Sequence, residues 1–412
     1  MRTVALTAPG GDQPAFEPHL ALDPANPDRI LVGAHYGVGY NRGGRGIWHW
    51  RTDDGGRTWS GADVALPRAD ADLAADAVTA FGPASTGYLL FVFARSPEFR
   101  GGAALARIDP MTGALGPARL IAADRWDEKL GAVDKPWLAV DGGQESSRRG
   151  TVYLTWHLNM PQPDRTVTST LWIASSRDSG WTFTEPIKVA DHFSGQIAVR
   201  PDGTLDLVFG DRQDRLMFHA SSRDGGRTWS PPDTITLMPQ DRAFDIPAIL
   251  ATGGDSVIVC WAEGPRAVGD RRTIRCSRSS REHEWSEPAP LVPDLPATSS
   301  VSYPSLAVNR QGVWVLAYRA DTDTTAVVLY RSPDGGRSFT VHRVLGSRPF
   351  GIERFCSSPG GDCRRASADS VFFMGDYTGL TASDDRLAAA YVLPRGDGVG
   401  ERPTVYVSIL EP

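Results

Sequence analysis

Five carboxylates stand in comparable places along the chain, each shortly before a short apolar segment. They are Glu17, Asp76, Asp134, Asp245 and Asp376. If the fold brings these places together, the like charges raise one another's pKa or require a cation. Two such carboxylates can act as the acid and the base or nucleophile of a hydrolase. An aspartate at the start of a strand also caps the preceding turn, so each position alone has a structural explanation as well.

Tyr377 directly follows Asp376 and is a candidate nucleophile. A phenol with an unperturbed pKa near ~10 needs an adjacent carboxylate to take its proton. Neighbouring residues of a strand face opposite ways, so that carboxylate must come from another part of the chain. The candidate catalytic residues are therefore Tyr377, Asp376, Asp134, Asp245 and Glu17.

Basic and imidazole side chains occupy the equivalent places, before the short segments or after the longer ones that follow. The candidate substrate-binding residues are Lys135, Arg212, Arg319, His19 and Arg42. No cofactor is the main expectation. As an alternative, Asp134, Asp245, Asp376 and Glu17 could hold a divalent cation such as calcium, because hard cations prefer several oxygen ligands.

A short apolar segment, a turn and a longer apolar segment recur seven times, and these pairs must position the candidate residues. The short segments begin at residues 19, 77, 137, 196, 248, 305 and 378. Small residues in the short segments suit the crowded centre of a ring. Continuous apolar runs in the longer segments predict strands buried between neighbouring sheets. Such repetition predicts one continuous all-β body over residues 1–412.

An eight-residue turn pattern, Ser/Thr-x-Asp-x-Gly-x-Thr/Ser-Trp/Phe, occurs four times. The copies are Thr52 to Trp59, Ser176 to Phe183, Ser222 to Trp229 and Ser332 to Phe339. The aspartate can accept hydrogen bonds from the amides of its own turn, and the glycine allows a positive φ. We expect each copy to be a hairpin turn with its aromatic ring packed beneath it.

This pattern resembles the Asp-box, or bacterial neuraminidase repeat, of sialidases and related β-propellers. The resemblance implies a propeller of four-stranded blades, with the Asp-box turn on the outer rim between the third and fourth strands. Seven blades are favoured and six are the alternative. The expected blades are approximately residues 14–66, 74–122, 133–190, 192–238, 244–293, 301–346 and 371–410. The N-terminal strand 2–6 is expected to complete the last blade and close the ring.

The sialidase resemblance also extends to one site motif. Tyr377-Thr378-Gly379-Leu380 is similar to the Tyr-Ser-x-Leu pattern of that family. The resemblance implies a tyrosine nucleophile activated by a glutamate, an aspartate acid/base, and three arginines that grip a substrate carboxylate. The chain departs from the family where an Arg-Ile-Pro motif is expected, since it has Glu17-Pro18 and Asp245-Ile246-Pro247 there.

Composition bounds the partners and the compartment. The net charge is −6, so no basic surface argues for nucleic acid. No apolar stretch suits a signal peptide or a membrane span. We expect a monomer, cytoplasmic if Met1 is native and secreted if a leader was removed. Cys260 and Cys276 lie on adjacent strands and are either bonded or two buried thiols, and Cys356 with Cys363 could close a small loop.

Three functions remain open at this point. The first is a sialidase-like glycoside hydrolase acting at one mouth of the propeller channel. The second is a non-catalytic propeller that binds a glycan, a peptide or a partner protein. The third is a different enzyme on the same scaffold, with a divalent cation among the carboxylates.

Overall fold

The computed structural model describes the chain in fourteen stretches, which contain strands and turns and no helix. The described residues are 1–8, 13–37, 46–95, 100–121, 132–162, 167–191, 193–211, 214–253, 256–265, 271–279, 284–349, 355–356, 372–395 and 403–411. In this part of the chain there is no helix of the length and apolarity needed to cross a membrane.

Seven antiparallel sheets form the blades of a β-propeller, preceded in the chain by a strand β1 (Arg2–Leu6). Blades 1 to 3 contain β2 (Ala15–Asp23), β3 (Asn26–Tyr36), β4 (Gly46–Thr52), β5 (Ser60–Val64), β6 (Leu73–Phe81), β7 (Gly87–Arg95), β8 (Arg100–Ile108), β9 (Arg119–Leu120), β10 (Ala132–Val140), β11 (Val152–Pro161), β12 (Val167–Ser176) and β13 (Ile187–Ala190). Blades 4 and 5 contain β14 (Phe193–Val199), β15 (Leu205–Gly210), β16 (Leu216–Ser222), β17 (Asp233–Leu237), β18 (Arg242–Phe244), β19 (Ala248–Gly253), β20 (Ser256–Pro265), β21 (Thr273–Ser279) and β22 (Ala289–Pro290). Blades 6 and 7 contain β23 (Ser300–Asn309), β24 (Gly312–Ala320), β25 (Thr325–Ser332), β26 (Thr340–Arg348), β29 (Gly379–Ser383), β30 (Arg386–Pro394) and β31 (Pro403–Leu410), and between them β27 (Phe355–Cys356) pairs in parallel with β28 (Phe372–Phe373).

The first strand of each blade faces the centre of the ring. The inner strands contact one another in the order β2, β6, β10, β14, β19, β23, β29 and back to β2. Seven blades, the favoured number, are therefore confirmed. The last blade takes β1 as its outermost strand, because β1 pairs with β31 from Arg2↔Ile409 to Leu6↔Val405. The expected closure of the ring by the N-terminal strand is also confirmed.

Blade 5 differs from the others in its innermost strand. Here β18 and β19 both pair with β20, and residues 245–247 between them interrupt the strand. A disulfide joins Cys260 to Cys276, which stand directly opposite each other on β20 and β21 with a Cα–Cα distance of 4.1 Å. The choice between a bond and two thiols is thereby resolved for this pair. Cys363 lies outside the described residues, so the second pairing stays a prediction.

The second strands supply most of the core. Their runs are almost continuously buried, as in Leu89 to Phe93 and Val257 to Ala262. Each run packs one face against the preceding blade and the other against the next, which is why these strands do not alternate between apolar and polar residues. This arrangement fixes the start of every inner strand at the same end of the ring axis.

The eight-residue turns adopt the expected geometry between the third and fourth strands. In the third copy, Asp224 accepts hydrogen bonds from the Arg227 and Thr228 amides, both at 3.0 Å, and from the Thr228 hydroxyl at 2.7 Å. The Ser222 hydroxyl accepts from the Gly226 amide at 2.9 Å. Gly226 has a φ of 86°, a backbone conformation in which a residue with a side chain would be strained. The turn satisfies its own polar groups, so it acts as a scaffold element of the rim.

Candidate functional site

Four inner strands carry the same bulge near their beginnings, and each bulge holds a side chain of chemical interest. The residues are Glu17, Asp76, Lys135 and Tyr303, with φ values of 51°, 56°, 46° and 59°. The strand register shifts at each of them. Positive φ is uncommon for residues other than glycine, and such strained positions concentrate at functional sites. The bulge re-aims the side chain, and in this ring all four bulges lie at one end of the axis.

Lys135 stands at the centre of a buried ionic group that three blades build. Its Nζ lies 2.5 Å from Asp376 Oδ2, 3.3 Å from Asp76 Oδ1 and 3.9 Å from Asp134 Oδ1. We call Glu17, Asp76, Asp134, Lys135 and Asp376 the Lys135 cluster. A buried ammonium is stable only when it is paired and hydrogen-bonded, and these carboxylates meet that need.

Glu17 connects the cluster to the last blade. Its Oε1 accepts a hydrogen bond from the Asp376 amide at 2.8 Å, and its Oε2 lies 3.3 Å from His35 Nδ1. Gly375 makes this approach possible, because a Cβ at that position would lie 2.1 Å from Glu17 Cγ. The backbone that carries Asp376 is therefore fixed by a side chain from the first blade.

Burial and neighbouring charges give the carboxyl groups of the cluster different pKa values. Burial raises the pKa of Glu17, but His35 and Lys135 oppose it and lower the value to about 2. Burial raises the pKa of Asp76 well above its usual range, and the neighbouring Glu17 raises it further, although Lys135 opposes both. Burial likewise raises the pKa of Asp376 to about 6 against the pull of Lys135. Of the carboxyl groups in this cluster, Asp76 and Asp376 are therefore the weaker acids and Glu17 is the stronger one.

Asp134 and Lys135 are both charged, because each lies close to groups of opposite charge that offset the effect of burial. Burial raises the pKa of Asp134, but Lys135 and His157 hold it well below its usual range. Burial lowers the pKa of Lys135, but Asp376 and Asp76 raise it well above its ordinary value. Asp134 is the most accessible of the cluster carboxylates, with a side chain 34% exposed. It would be the first of them that a ligand meets.

Asp245 forms a second acidic position in the interruption of blade 5. Its Oδ1 lies 3.1 Å from Arg272 Nη1, while its Oδ2 is buried and has no hydrogen-bond partner among the described residues. Burial raises the pKa of Asp245 to about 7; Arg272 opposes this and Asp376 adds to it. Asp376 and Asp245 also raise the pKa of Tyr303, whose burial is the main cause of its shift. Asp245 thus belongs to the same end of the ring as the Lys135 cluster.

Aromatic rings line the same region. The Trp137 ring lies 6.1 Å from the Tyr377 ring and 5.3 Å from the His19 ring. Burial lowers the pKa of His19 to about 4, and its Nδ1 accepts a hydrogen bond from the Thr79 amide at 3.1 Å, so this imidazole is neutral. Lys135 Nζ lies 5.2 Å from the centre of the Tyr377 ring. Three blades thereby supply one aromatic wall.

Tyr377 has the environment of a protonated phenol. Burial raises its pKa well above 10, and Lys135 opposes this shift. In the part of the chain that the structure describes, its buried hydroxyl has no hydrogen-bond partner. The nearby carboxylates of Asp76, Glu17 and Asp376 add to the rise. A tyrosine nucleophile would need one of these carboxylates to accept its proton directly.

The structure brings most of the predicted site residues together. Glu17, His19, Asp134, Lys135, Asp376 and Tyr377 meet through the contacts above, and Asp245 lies beside them. Arg319 instead pairs with Asp321 of its own blade at 3.2 Å. Arg42 and Arg212 lie outside the described residues, so their predicted roles stay predictions.

Asp76 and Arg272 contribute charged groups to the site and were not predicted as site residues. Asp76 was placed at the correct end by its position before an inner strand, and nothing in the sequence distinguished it from a turn cap. Arg272 closes a long insertion between β20 and β21, and its amide donates to the Ser300 hydroxyl of blade 6 at 3.0 Å. No sequence signal linked it to Asp245, because the two residues flank different strands of blade 5 and meet only in the folded sheet.

Within the described residues, no group of three His, Cys, Asp or Glu side chains at the acidic end is arranged to hold a metal ion. The divalent cation considered from the sequence stays a prediction. The Lys135 ammonium already stands where Asp76, Asp134 and Asp376 converge. The donor set therefore fits an internal ammonium better than calcium, which needs six to eight oxygen ligands.

Fold and site together define a seven-bladed propeller with a carboxylate-rich end. No protein-family model matches the chain, and no curated protein is significantly similar to it. Solved structures share its architecture at low identity. An ulvan lyase matches with a TM-score of 0.61 and 10% identity over 100% of this chain and 96% of its own. A protein of unknown function from Dyadobacter fermentans matches with a TM-score of 0.53 and 13% identity over 100% and 98%.

A third structure of the same architecture contains a ligand. The α-L-arabinofuranosidase of Fusarium graminearum, in complex with an iminosugar inhibitor, matches with a TM-score of 0.52 and 12% identity over 100% of this chain and 98% of its own. At such identities these similarities establish the β-propeller fold alone.

Proposed function

We propose that this protein is a glycoside hydrolase whose active site is the acidic end of the propeller axis. The observation that carries the proposal is a pair of carboxyl groups, Asp245 and Asp376, in different environments in one buried region. Among the described residues Asp245 Oδ2 has no hydrogen-bond partner, and burial raises the pKa of Asp245 to about 7, whereas Asp376 Oδ2 lies 2.5 Å from Lys135 Nζ. A buried carboxyl with a raised pKa suits the acid role, and a carboxylate paired with a cation suits the role of base or nucleophile.

The proposed reaction follows from the different environments of Asp245 and Asp376. Protonated Asp245 donates its proton to the glycosidic oxygen as the bond to the anomeric carbon breaks. Ionised Asp376 then either attacks that carbon or removes a proton from the attacking water. Lys135 keeps Asp376 ionised, and Glu17 fixes its backbone through the Asp376 amide.

Comparison with known propellers supports the substrate class. An α-L-arabinofuranosidase with a bound iminosugar and an ulvan lyase share this architecture over almost the whole chain. A sialidase-like activity is a finer version of the proposal, and it rests on the resemblance of Tyr377 to Leu380 to the sialidase pattern. A propeller that binds a glycan without cleaving it is the alternative.

Asp245→Asn tests the acid role. We expect turnover of a para-nitrophenyl glycoside to fall by about 10²- to 10⁴-fold, because the leaving group no longer receives a proton. The dinitrophenyl analogue needs little protonation, so its turnover should fall far less. Wild-type turnover should also decline as the pH rises above 7, where Asp245 loses its proton. The measurement is kcat on both analogues of whichever sugar in a glycoside panel the wild type cleaves.

The control is Asp241→Asn, which removes an exposed carboxylate four residues upstream and should leave both rates unchanged. Equal losses on the two analogues would contradict the acid role of Asp245. If the wild type cleaves no member of the panel and still binds glycans, the binding alternative replaces the hydrolase.

A further inference from the structure

The acidic end carries more negative than positive charge among the described residues. Glu17, Asp134 and Asp376 are ionised at neutral pH, and Lys135 is the one ammonium among them. Burial raises the pKa of Asp76, and the balance is negative whether or not this group is counted. A carboxylate or sulfate on the sugar that reacts here would therefore approach a net negative group.

The two cations that the structure describes in this region, Lys135 and Arg272, are already paired with carboxylates of the protein. Lys135 Nζ contacts Asp376, Asp76 and Asp134 within 3.9 Å, and its side chain is only 14% exposed. Arg272 Nη1 lies 3.1 Å from Asp245 and is 10% exposed. To bind a sugar carboxylate, either cation would have to give up a buried carboxylate and leave it unpaired, which is strongly unfavourable.

The remaining surface suits an uncharged ring with hydroxyl groups. Trp137, Tyr377 and neutral His19 provide aromatic faces and edges. The Tyr377 hydroxyl and Asp245 Oδ2 are polar atoms without hydrogen-bond partners among the described residues, so this region has polar groups besides its aromatic rings. Ligand sites of this kind combine an aromatic lining with a few convergent polar groups.

We infer that the sugar unit at the reacting position is uncharged and that the acidic end discriminates against uronic and sialic acids. This inference rests on the proposed location of the glycan site. It also separates the protein from the sialidase pattern, in which arginines grip a substrate carboxylate. Asp134 is the specificity-determining residue, because its side chain is 34% exposed and is the most accessible carboxylate of the cluster.

Matched aryl glycosides that differ only in the oxidation of C6 test the inference. Galactoside is compared with galacturonide and glucoside with glucuronide, beside an arabinofuranoside and a sialoside. We expect the uncharged sugars to be preferred in kcat/KM by at least about tenfold, because like charges across a binding site are strongly disfavoured. Equal or faster cleavage of a uronide or the sialoside would overturn the inference.

Binding separates this inference from the proposed activity. Calorimetric titration of the Asp245→Asn protein with arabino-, galacto- and galacturono-oligosaccharides should show binding of an uncharged series and at least tenfold weaker binding of the uronate series. Binding of an uncharged series by a protein that cleaves nothing supports the inference and contradicts only the hydrolase. Binding of the uronate series alone, or of no uncharged series, overturns it.

Asp134→Asn checks the named residue. Removing this charge should narrow the preference for uncharged over anionic ligands by roughly fivefold, because one repulsive charge is lost at short range. Asp385→Asn removes the same charge from the exposed turn at the opposite end of β29 and should leave the preference unchanged. If a folded Asp134→Asn protein keeps the wild-type preference, Asp134 does not determine the specificity for uncharged ligands.

Discussion

At the scale of single residues, Lys135 and its carboxylates depend on one another. Lys135 Nζ lies within 3.9 Å of oxygens from Asp76, Asp134 and Asp376, and all of these groups are withdrawn from bulk water to different degrees. Removal of one partner from a buried ion pair leaves an uncompensated charge. The cluster therefore both fixes the positions of its members and sets their acidities.

Tyr377→Phe distinguishes the two candidate nucleophiles. If Asp376 or its water attacks, the variant should keep kcat within about tenfold of the wild type, because only the phenol oxygen is lost. Its melting temperature should change little, since the ring stays in place. Tyr377→Ala removes the ring as well and should cost about 3–5 kcal/mol of stability. Abolished turnover in a stable Tyr377→Phe protein would instead identify Tyr377 as the nucleophile of a sialidase-like reaction.

At the scale of elements, the strand bulges and the eight-residue turns have different roles. The bulges at Glu17, Asp76, Lys135 and Tyr303 turn side chains toward the axis at a cost in backbone strain. The eight-residue turns hold the outer ends of the blades and make no described contact with the Lys135 cluster. Strain is thus found at the candidate site and well-satisfied turns at the rim.

Asp224→Ala tests the role of a rim turn. The carboxylate accepts hydrogen bonds from two amides and from the Ser222 and Thr228 hydroxyls. We expect a loss of about 1–3 kcal/mol in the free energy of unfolding, as several hydrogen bonds of the turn disappear. The kcat/KM should stay at the wild-type value.

Arg223→Ala is the control for this change, because it alters an exposed side chain of the same turn. It should leave both stability and activity unchanged. A drop in kcat/KM for Asp224→Ala at a temperature where the protein is folded would connect the rim to the site and contradict the scaffold role.

At the scale of the whole molecule, one strand from the N-terminus closes the ring. Leu6 of β1 is buried in the core of the last blade, and the Thr3 and Ser408 hydroxyls are hydrogen-bonded at 2.8 Å. The Trp50 indole of blade 1 donates to the Thr7 carbonyl at 3.0 Å. Since blade 7 also carries Asp376 and Tyr377, closure and the site share one element.

Deletion of residues 1–6 should destabilise the protein by on the order of 5 kcal/mol. The loss combines the burial of Leu6 with the hydrogen bonds along β31. Leu6→Ala alone should lower the free energy of unfolding by about 2–4 kcal/mol. Arg2→Ala changes an exposed position and should leave the free energy of unfolding almost unchanged. Chemical denaturation measures all three. A truncated protein as stable as the full chain would show that the ring does not need this strand.

The resemblance of the eight-residue turns to the Asp-box implied the propeller fold, with seven blades favoured over six. The sequence alone predicted one continuous all-β body and a closing N-terminal strand, because these follow from local patterns: the alternation of short and long apolar segments and an unassigned strand at residues 2–6. It also placed Glu17, Asp134, Asp245 and Asp376 at one end, since each precedes an inner strand. Only the tertiary structure decided which of these residues contact one another. Lys135 contacts Asp76 and Asp376, which are 59 and 241 residues away in the sequence. These contacts depend on bulges and on blade packing, which no local pattern encodes.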